Sequence, residues 1–376
     1  MTRTITLSIA AVLLAGCAAL PVTSALAQAD PPVAEAPSPN AIVDAAPAAD
    51  WVEIAPSDLM VMQLAPDAQG KPRRVVIQLM PPPFSQGWVA NIRTLARAGW
   101  YDGISINRVQ DNYVVQWGDP NVDNPEAEGE AKPLPEGLRV MEERDYVTTD
   151  LLTIPDPRGR PRFNYTLGAM MMRNAMIAAN GSVVIPEGLQ EYFESPEADP
   201  PEIKQPEVGD AYAHLSSLVL GWPVARSGSE EEQVYWPVHC YGMVGVGRGY
   251  SPDTGSGAEL YTVIGHAPRH LDRNIALVGR VVEGIEHLSS LPRGTGALGF
   301  YEDPAQRVPI RSIRVASDLP EPEQPRFEYL STESESFARY AEARANRRDP
   351  FFIVPAGGAD ICNIPVPVRR IMAQSE

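Results

Sequence analysis

Tyr101 to Pro120 reads Y-D-G-I-S-I-N-R-V-Q-D-N-Y-V-V-Q-W-G-D-P, one arginine set between two short apolar runs with an aromatic and an amide downstream. Ile104 and Ile106, then Val114 with Gln116, keep the period-two alternation of half-buried strands, and Gln110-Asp111-Asn112 between them supplies turn chemistry. The pattern predicts a hairpin from which Arg108 and Tyr113 leave the sheet side by side at a strand end, with Gln116 as the third residue to explain. A lone arginine on a strand is commonly a solvated surface residue. Its meaning therefore rests on what the rest of the chain places around it.

These residues resemble the central signature of cyclophilin-type peptidyl-prolyl isomerases, which runs aromatic, His, Arg, Val, three loop residues, Phe, Met, any residue, Gln, Gly, Gly, Asp. Here the order is Ile106, Asn107, Arg108, Val109, then Tyr113, Val114, Val115, Gln116, Trp117, Gly118, Asp119. A second block keeps the family order far downstream: G-M-V-G-V-G-R-G-Y from Gly242, G-A-E-L-Y-T-V-I-G from Gly257 and L-D-R-N-I-A-L-V-G-R-V-V-E-G from Leu271. The resemblance implies a mainly β fold, a closed antiparallel eight-stranded barrel capped by two helices, and isomerisation of X-Pro bonds. It implies catalytic roles for Arg108, Tyr113 and Gln116, and a substrate groove formed by Val114, Gly247, Arg248, Tyr261, His270, Leu271 and Ile275.

The chain departs from the family pattern at several of these positions. Positions that usually carry His are Asn107 and Ile275, and the usual Trp falls on His270 across a one-residue insertion. Ala-Asn in the groove becomes Gly247-Arg248, the Phe-Phe pair becomes Leu260-Tyr261 preceded by Glu259 instead of Gln, and Trp117 replaces a glycine. An altered sequence preference is the expectation. The alternative is a catalytically weak or inactive peptide-binding or scaffold protein of the cell envelope.

The residue types suit the chemistry. Rotation about X-Pro is opposed by amide resonance, with a barrier of about 18–20 kcal/mol, and no bond need break, so no nucleophile is called for. A cation that donates to the prolyl nitrogen as its lone pair leaves conjugation would lower that barrier, and an apolar pocket would grip the ring. Arg108 fits the first role and Tyr113, Val114, Tyr261 and Leu271 the second, while Gln116 would hold the substrate backbone or orient Arg108. Asp253-Thr254-Gly255-Ser256 matches an aspartic-protease tetrapeptide, but no second copy supplies the facing carboxylate such a site needs. His214, His239, His266, His270 and His287 lack metal-ligand spacing, and no cofactor is indicated.

The organisation expected is a leader (1–27), a Pro/Ala linker (28–56), a barrel domain (57–317) interrupted by an acidic, Pro-rich insert (121–238), and a C-terminal extension (318–376). The linker reads as too poor in apolar surface to order itself. Leu59–Leu64 and Arg74–Leu79 read as a hairpin, and Trp88, Ile92, Leu95 and Ala96 as a helix stopped by Gly99. Most of the insert reads as loop, except Tyr165–Ser182, whose Met170, Met171 and Ile177 suggest either core packing or an adaptable binding surface. Tyr241–Val246, Leu260–Ile264, Ile275–Val282 and Val308–Val315 close the barrel, with a short helix around Ile285–Leu291. In the extension, Thr332 and Glu335 are placed as a capping box for a helix to Arg348, and the Pro-rich run Asp349–Arg370 is expected to pack back on the domain.

Composition and the N-terminal segment bear on setting. Thirty-eight prolines in 376 residues is roughly double the usual share, which points to long irregular stretches. A net charge of −17 argues against nucleic acid as a partner. The expected partners are proline-containing segments of unfolded or exported polypeptides. Arg3 followed by an apolar run from Ile5 reads as an export signal too short to remain as a membrane span. Ala25-Leu26-Ala27 offers a cleavage site before Gln28, giving a free periplasmic protein. Leu14-Ala15-Gly16-Cys17 offers a lipobox instead, giving a lipid-anchored outer-membrane protein with Cys17 lipidated. Cys240 and Cys362 then remain, either as one disulfide or as two separate buried thiols.

Overall fold

The computed structural model describes residues 36–122, 129–149, 210, 212–228, 232–354 and 357–371. The leader with Cys17, the acidic runs of the insert and the Met-containing stretch Tyr165–Ser182 lie outside the described residues. The described chain opens with helix α1 (Pro39–Asp44), capped by the Ser38 hydroxyl accepting from Ala41 N, and strand β1 (Trp51–Glu53). β2 (Leu59–Leu64) and β3 (Arg73–Leu79) form the expected hairpin, and α2 (Gln86–Arg97) follows, ended by Gly99 at φ +65°. β4 (Ser105–Val109) and β5 (Val114–Gly118) are the decisive hairpin, turned through Asn112 at φ +50°, a conformation that asparagine tolerates well.

After the insert come β9 (Met243–Val246), β10 (Leu260–Val263), β11 (Leu277–Glu283), helix α3 (Glu286–Ser289) and β12 (Val308–Val315). The eight strands close in the order β10-β5-β4-β12-β2-β3-β11-β9, every pair antiparallel. Met60, Met62, Leu64, Val75 and Ile77 pack into the main core with α2 and Trp117. The alternate residues Leu59, Val61 and Val76 join a second core outside the barrel with Ile54 and Phe327. That double burial explains why β2 is apolar at consecutive positions instead of alternating.

Three expectations are corrected. The segment 36–56 is built into the fold: Ile42 and Trp51 are buried, α1 packs on α4 (Glu335–Ala345), and β1 pairs with β13 (Phe327–Leu330), which pairs in turn with β14 (Val368–Arg370). The partner that orders it lies nearly 280 residues downstream, beyond any local composition window. The insert ends not in loop but in a second three-stranded sheet, β6 (Leu215–Val219), β7 (Trp222–Gly228) and β8 (Gln233–Pro237), with Trp222, Tyr235 and Trp236 fully buried. The cap of α4 is Ser334, whose hydroxyl accepts from Phe337 N at 3.0 Å, while Thr332 accepts from Gly221 N at 3.1 Å.

Among the ties that hold the additions to the barrel, two lie close to its core. Arg280 of β11 is buried among Gln78, Trp222 and Tyr329, donating to Gln78 Oε1 (2.9 Å) and to Gly221 O (2.7 Å). One buried cation thus touches barrel, insert and extension, and burial without a carboxylate partner lowers its pKa to about 10. Cys240 and Cys362 are bonded, joining the barrel to the returning tail beside buried Ile361 and Ile364. Among the described residues no helix is long and apolar enough to cross a membrane. Because the bridge closes a long loop, replacing both cysteines by serine is expected to cost about 2–4 kcal/mol in equilibrium urea unfolding. An unchanged midpoint would show that the tail is held without it.

Candidate functional site

A β-bulge sets the geometry of the site. Ile106 pairs with Trp117 but Arg108 pairs with Gln116, so Asn107 is the extra residue on β4. Asn107 is buried, and Arg108 stands opposite Gln116, the amide it contacts. Arg108 Nη1 donates to Gln116 Oε1 at 3.0 Å, Nε to Leu298 O at 2.7 Å and Nη2 to Gln110 Oε1. Its guanidinium carbon lies 5.9 Å from the Tyr113 ring centre and 5.6 Å from that of Phe300. Leu298 sits at φ +55°, and Phe300 bridges to Arg108. All three hydrogen-bond partners are neutral, so the cation is oriented without being cancelled. Burial pushes the Arg108 pKa below its ordinary value and the Tyr113 phenol above its own.

This corner is one end of a groove of about 460 Å³. Of the residues read from sequence, Arg108, Tyr113, Val114, Gln116, Gly247, Arg248, Tyr261, Leu271 and Ile275 all line it. Val114, Tyr261 and Val263 form a small apolar cluster with Tyr113, Leu271 and Ile275 packed against it, which makes this end an apolar seat beside a cation. His270 is placed differently from the expectation. It stacks on Tyr113 with ring centres 6.3 Å apart and does not line the groove, so it braces an aromatic wall instead. Arg248 donates to Asn274 O (3.0 Å) and Gly249 O (2.7 Å), and the Asp253 carboxylate accepts from Gly249 N and Gly255 N. The D-T-G-S tetrapeptide is thus a loop-forming turn on the groove rim.

Several lining residues were missed. Leu298 and Phe300 come from the glycine-rich stretch Gly294–Phe300, whose composition signals a tight loop but not which barrel edge it meets. Lys132 and Leu134 belong to the insert, whose first arm straps across α2. There Tyr146 stacks on Trp88 at 5.5 Å, Asn91 bonds both Arg139 O (2.9 Å) and Arg139 N (2.8 Å), and Lys132 Nζ donates to Trp100 O (2.6 Å). No motif in the insert announces that role.

The architecture is that of a cyclophilin barrel, with the arginine, aromatic and amide on its open face. Residues 73–183 match the model of the cyclophilin type peptidyl-prolyl cis-trans isomerase/CLD family, a little under a third of the chain. The crystal structure of cyclophilin AquaCyp293 from Hirschia baltica is similar, with a TM-score of 0.54 at 20% identity over 86% of this chain and 95% of its own. A cyclophilin type peptidyl-prolyl cis-trans isomerase from Cryptosporidium parvum, solved in the presence of the dipeptide Ala-Pro, has a TM-score of 0.31 at 10% identity over 68% of this chain and 98% of its own. No curated protein matches the chain. The family model over residues 73–183 and the barrel topology together define a cyclophilin-like fold.

The aromatic seat leaves no room beneath it. A Cβ added at Gly245 would lie 2.4 Å from both Cζ and Oη of Tyr261. Gly245→Ala is therefore expected to cost about 1–3 kcal/mol in urea unfolding through overpacking. A change below about 0.5 kcal/mol, the usual spread of surface substitutions, would mean that the Tyr261 ring is free to move aside.

Proposed function

We propose that the protein is a peptidyl-prolyl cis-trans isomerase acting on proline-containing segments of unfolded or loop-exposed polypeptides. The observation that carries this reading is Arg108, a cation held by three neutral acceptors at the edge of an apolar seat. A prolyl ring lodged between Tyr113, Val114 and Tyr261 would bring its nitrogen within reach of the guanidinium. Donation to that nitrogen strengthens as the lone pair leaves amide resonance, so the twisted state is bound better than either planar isomer. Each 1.36 kcal/mol of such preference is a factor of ten in rate. Gln116 keeps the guanidinium in place and its amide N–H groups remain donors for a substrate carbonyl.

We further infer that it works after export, assisting the folding of exported chains in the periplasm. The support is the apolar N-terminal run with its A-x-A site before Gln28, together with a disulfide, which persists in an oxidising compartment. The lipobox at Cys17 supports the alternative of an outer-membrane lipoprotein, and the intact mass of the native protein separates an N-terminus at Gln28 from an acylated Cys17. The test of the central reading is cis/trans exchange of an Ala-Pro peptide by NMR. Wild type should accelerate exchange, and Arg108→Ala should lose about 100-fold or more in kcat/KM, the effect of removing one preorganised donor. Equal exchange with and without the protein would refute the reading. Peptide binding without acceleration, surviving Arg108→Ala, would favour a non-catalytic binder.

A further inference from the structure

Beneath the groove floor runs a chain of buried polar groups that the proposed catalysis does not use. The Tyr261 hydroxyl lies 2.9 Å from His239 Nε2, and His239 Nδ1 lies 2.8 Å from Asp272 Oδ1, which also accepts from His239 N at 3.0 Å. Asp272 Oδ2 accepts from Arg269 Nε at 2.6 Å, and Arg269 Nη2 donates to Asp210 Oδ2 at 2.8 Å while its guanidinium covers the Tyr212 ring at 5.2 Å. His239 is wholly buried.

The donor roles follow from the ends of the chain. An ionised Asp272 can only accept, so the Nδ1 of His239 carries the proton, Nε2 is left as an acceptor, and the Tyr261 hydroxyl donates to it. Burial pushes the His239 pKa below its ordinary value and the Tyr261 phenol well above its own, so both are neutral at pH 7. Burial also opposes the Asp272 charge, but the hydrogen bonds from His239 and Arg269 hold its pKa below the carboxylate range.

We propose that His239, fixed by Asp272 and Arg269, is the positioning residue that seats Tyr261 as the wall of the proline-binding groove, an inference that rests on the isomerase reading. A phenol on an apolar floor would otherwise turn its hydroxyl toward groove water, at the place the prolyl ring must occupy. Tethered to His239, the hydroxyl is withdrawn into the protein and only the ring faces the groove. Gly245 makes room for this pose, since the Cβ of any other residue there would strike the phenol. The tether also reaches outward: Asp210 and Tyr212 belong to the insert, and Cys240, next to His239, is bonded to Cys362 of the extension. The two segments foreign to a plain barrel thus converge on one groove residue.

The test uses the full chain with an Ala-Pro peptide. Tyr261→Phe removes the hydroxyl together with its tether and should leave KM within about twofold of wild type, whereas His239→Leu cuts the tether and keeps the hydroxyl, and should raise KM about fivefold with kcat changed less than about twofold. In the Tyr261→Phe background His239→Leu should have no further effect on KM, because no hydroxyl remains to be held. Should His239→Leu fail to fold, the protection of the wild-type Tyr261 hydroxyl proton decides the matter. A KM for His239→Leu within about twofold of wild type, or a rise in KM that persists in the double variant, would overturn the proposal. A separate readout is independent of catalysis: wild type should show a slowly exchanging Tyr261 hydroxyl proton with an Overhauser effect to the His239 ring. Absence of exchange acceleration would refute the isomerase reading alone, whereas absence of that protected proton would refute the tether.

Discussion

The structure turns on a cation that is oriented but not neutralised. Arg108 could be held firmly by a carboxylate, and the chain has many more acidic than basic residues to supply one. It is held instead by Gln116, Gln110 and the carbonyl of Leu298. A carboxylate partner would spend most of the guanidinium's field on itself, while neutral acceptors fix its direction and leave its charge for a group in the groove. Meeting this requirement takes a bulge at Asn107 to bring Arg108 opposite Gln116, a positive-φ turn at Leu298 to present a carbonyl, and two aromatic rings, Tyr113 and Phe300, close to the guanidinium.

The surroundings serve that corner. The closed barrel removes free sheet edges and sets β4, β5 and β10 side by side, which places Arg108, Gln116 and Tyr261 on neighbouring strands. The insert is anchored on α2 through Trp88 and Asn91 and brings Lys132 and Leu134 to the groove rim. The N-terminal segment and C-terminal extension share one small sheet that covers the outer faces of β2 and β3.

Much of this was legible because it is local. The alternation through Ile104–Gln116, the helical spacing of Trp88, Ile92 and Leu95, and Asn112 at the turn each dictate their element within a few residues, and of the ten site residues read from the two blocks in family order, nine line the groove. What was missed depends on contacts remote in sequence. Segment 36–56 looked unable to order itself because its partner strand begins at Phe327, and the strands at 215–237 were hidden by proline and charge around them. His270 was assigned to the groove by its place in the pattern, whereas the fold sets it behind Tyr113. His239 drew attention only as a poor metal ligand, since its partners Asp272 and Tyr261 are 33 and 22 residues away.

The most direct measurement is where a prolyl ring sits. In an NMR titration of the isotopically labelled protein with an unlabelled Ala-Pro peptide, intermolecular Overhauser contacts from the prolyl ring should fall on Val114, Tyr113, Tyr261 and Leu271, with Arg108 side-chain resonances shifting alongside. Contacts that fall elsewhere, such as on the exposed run Phe351–Val354, with the Arg108 resonances unmoved, would contradict the assignment of this corner as the site of proline recognition.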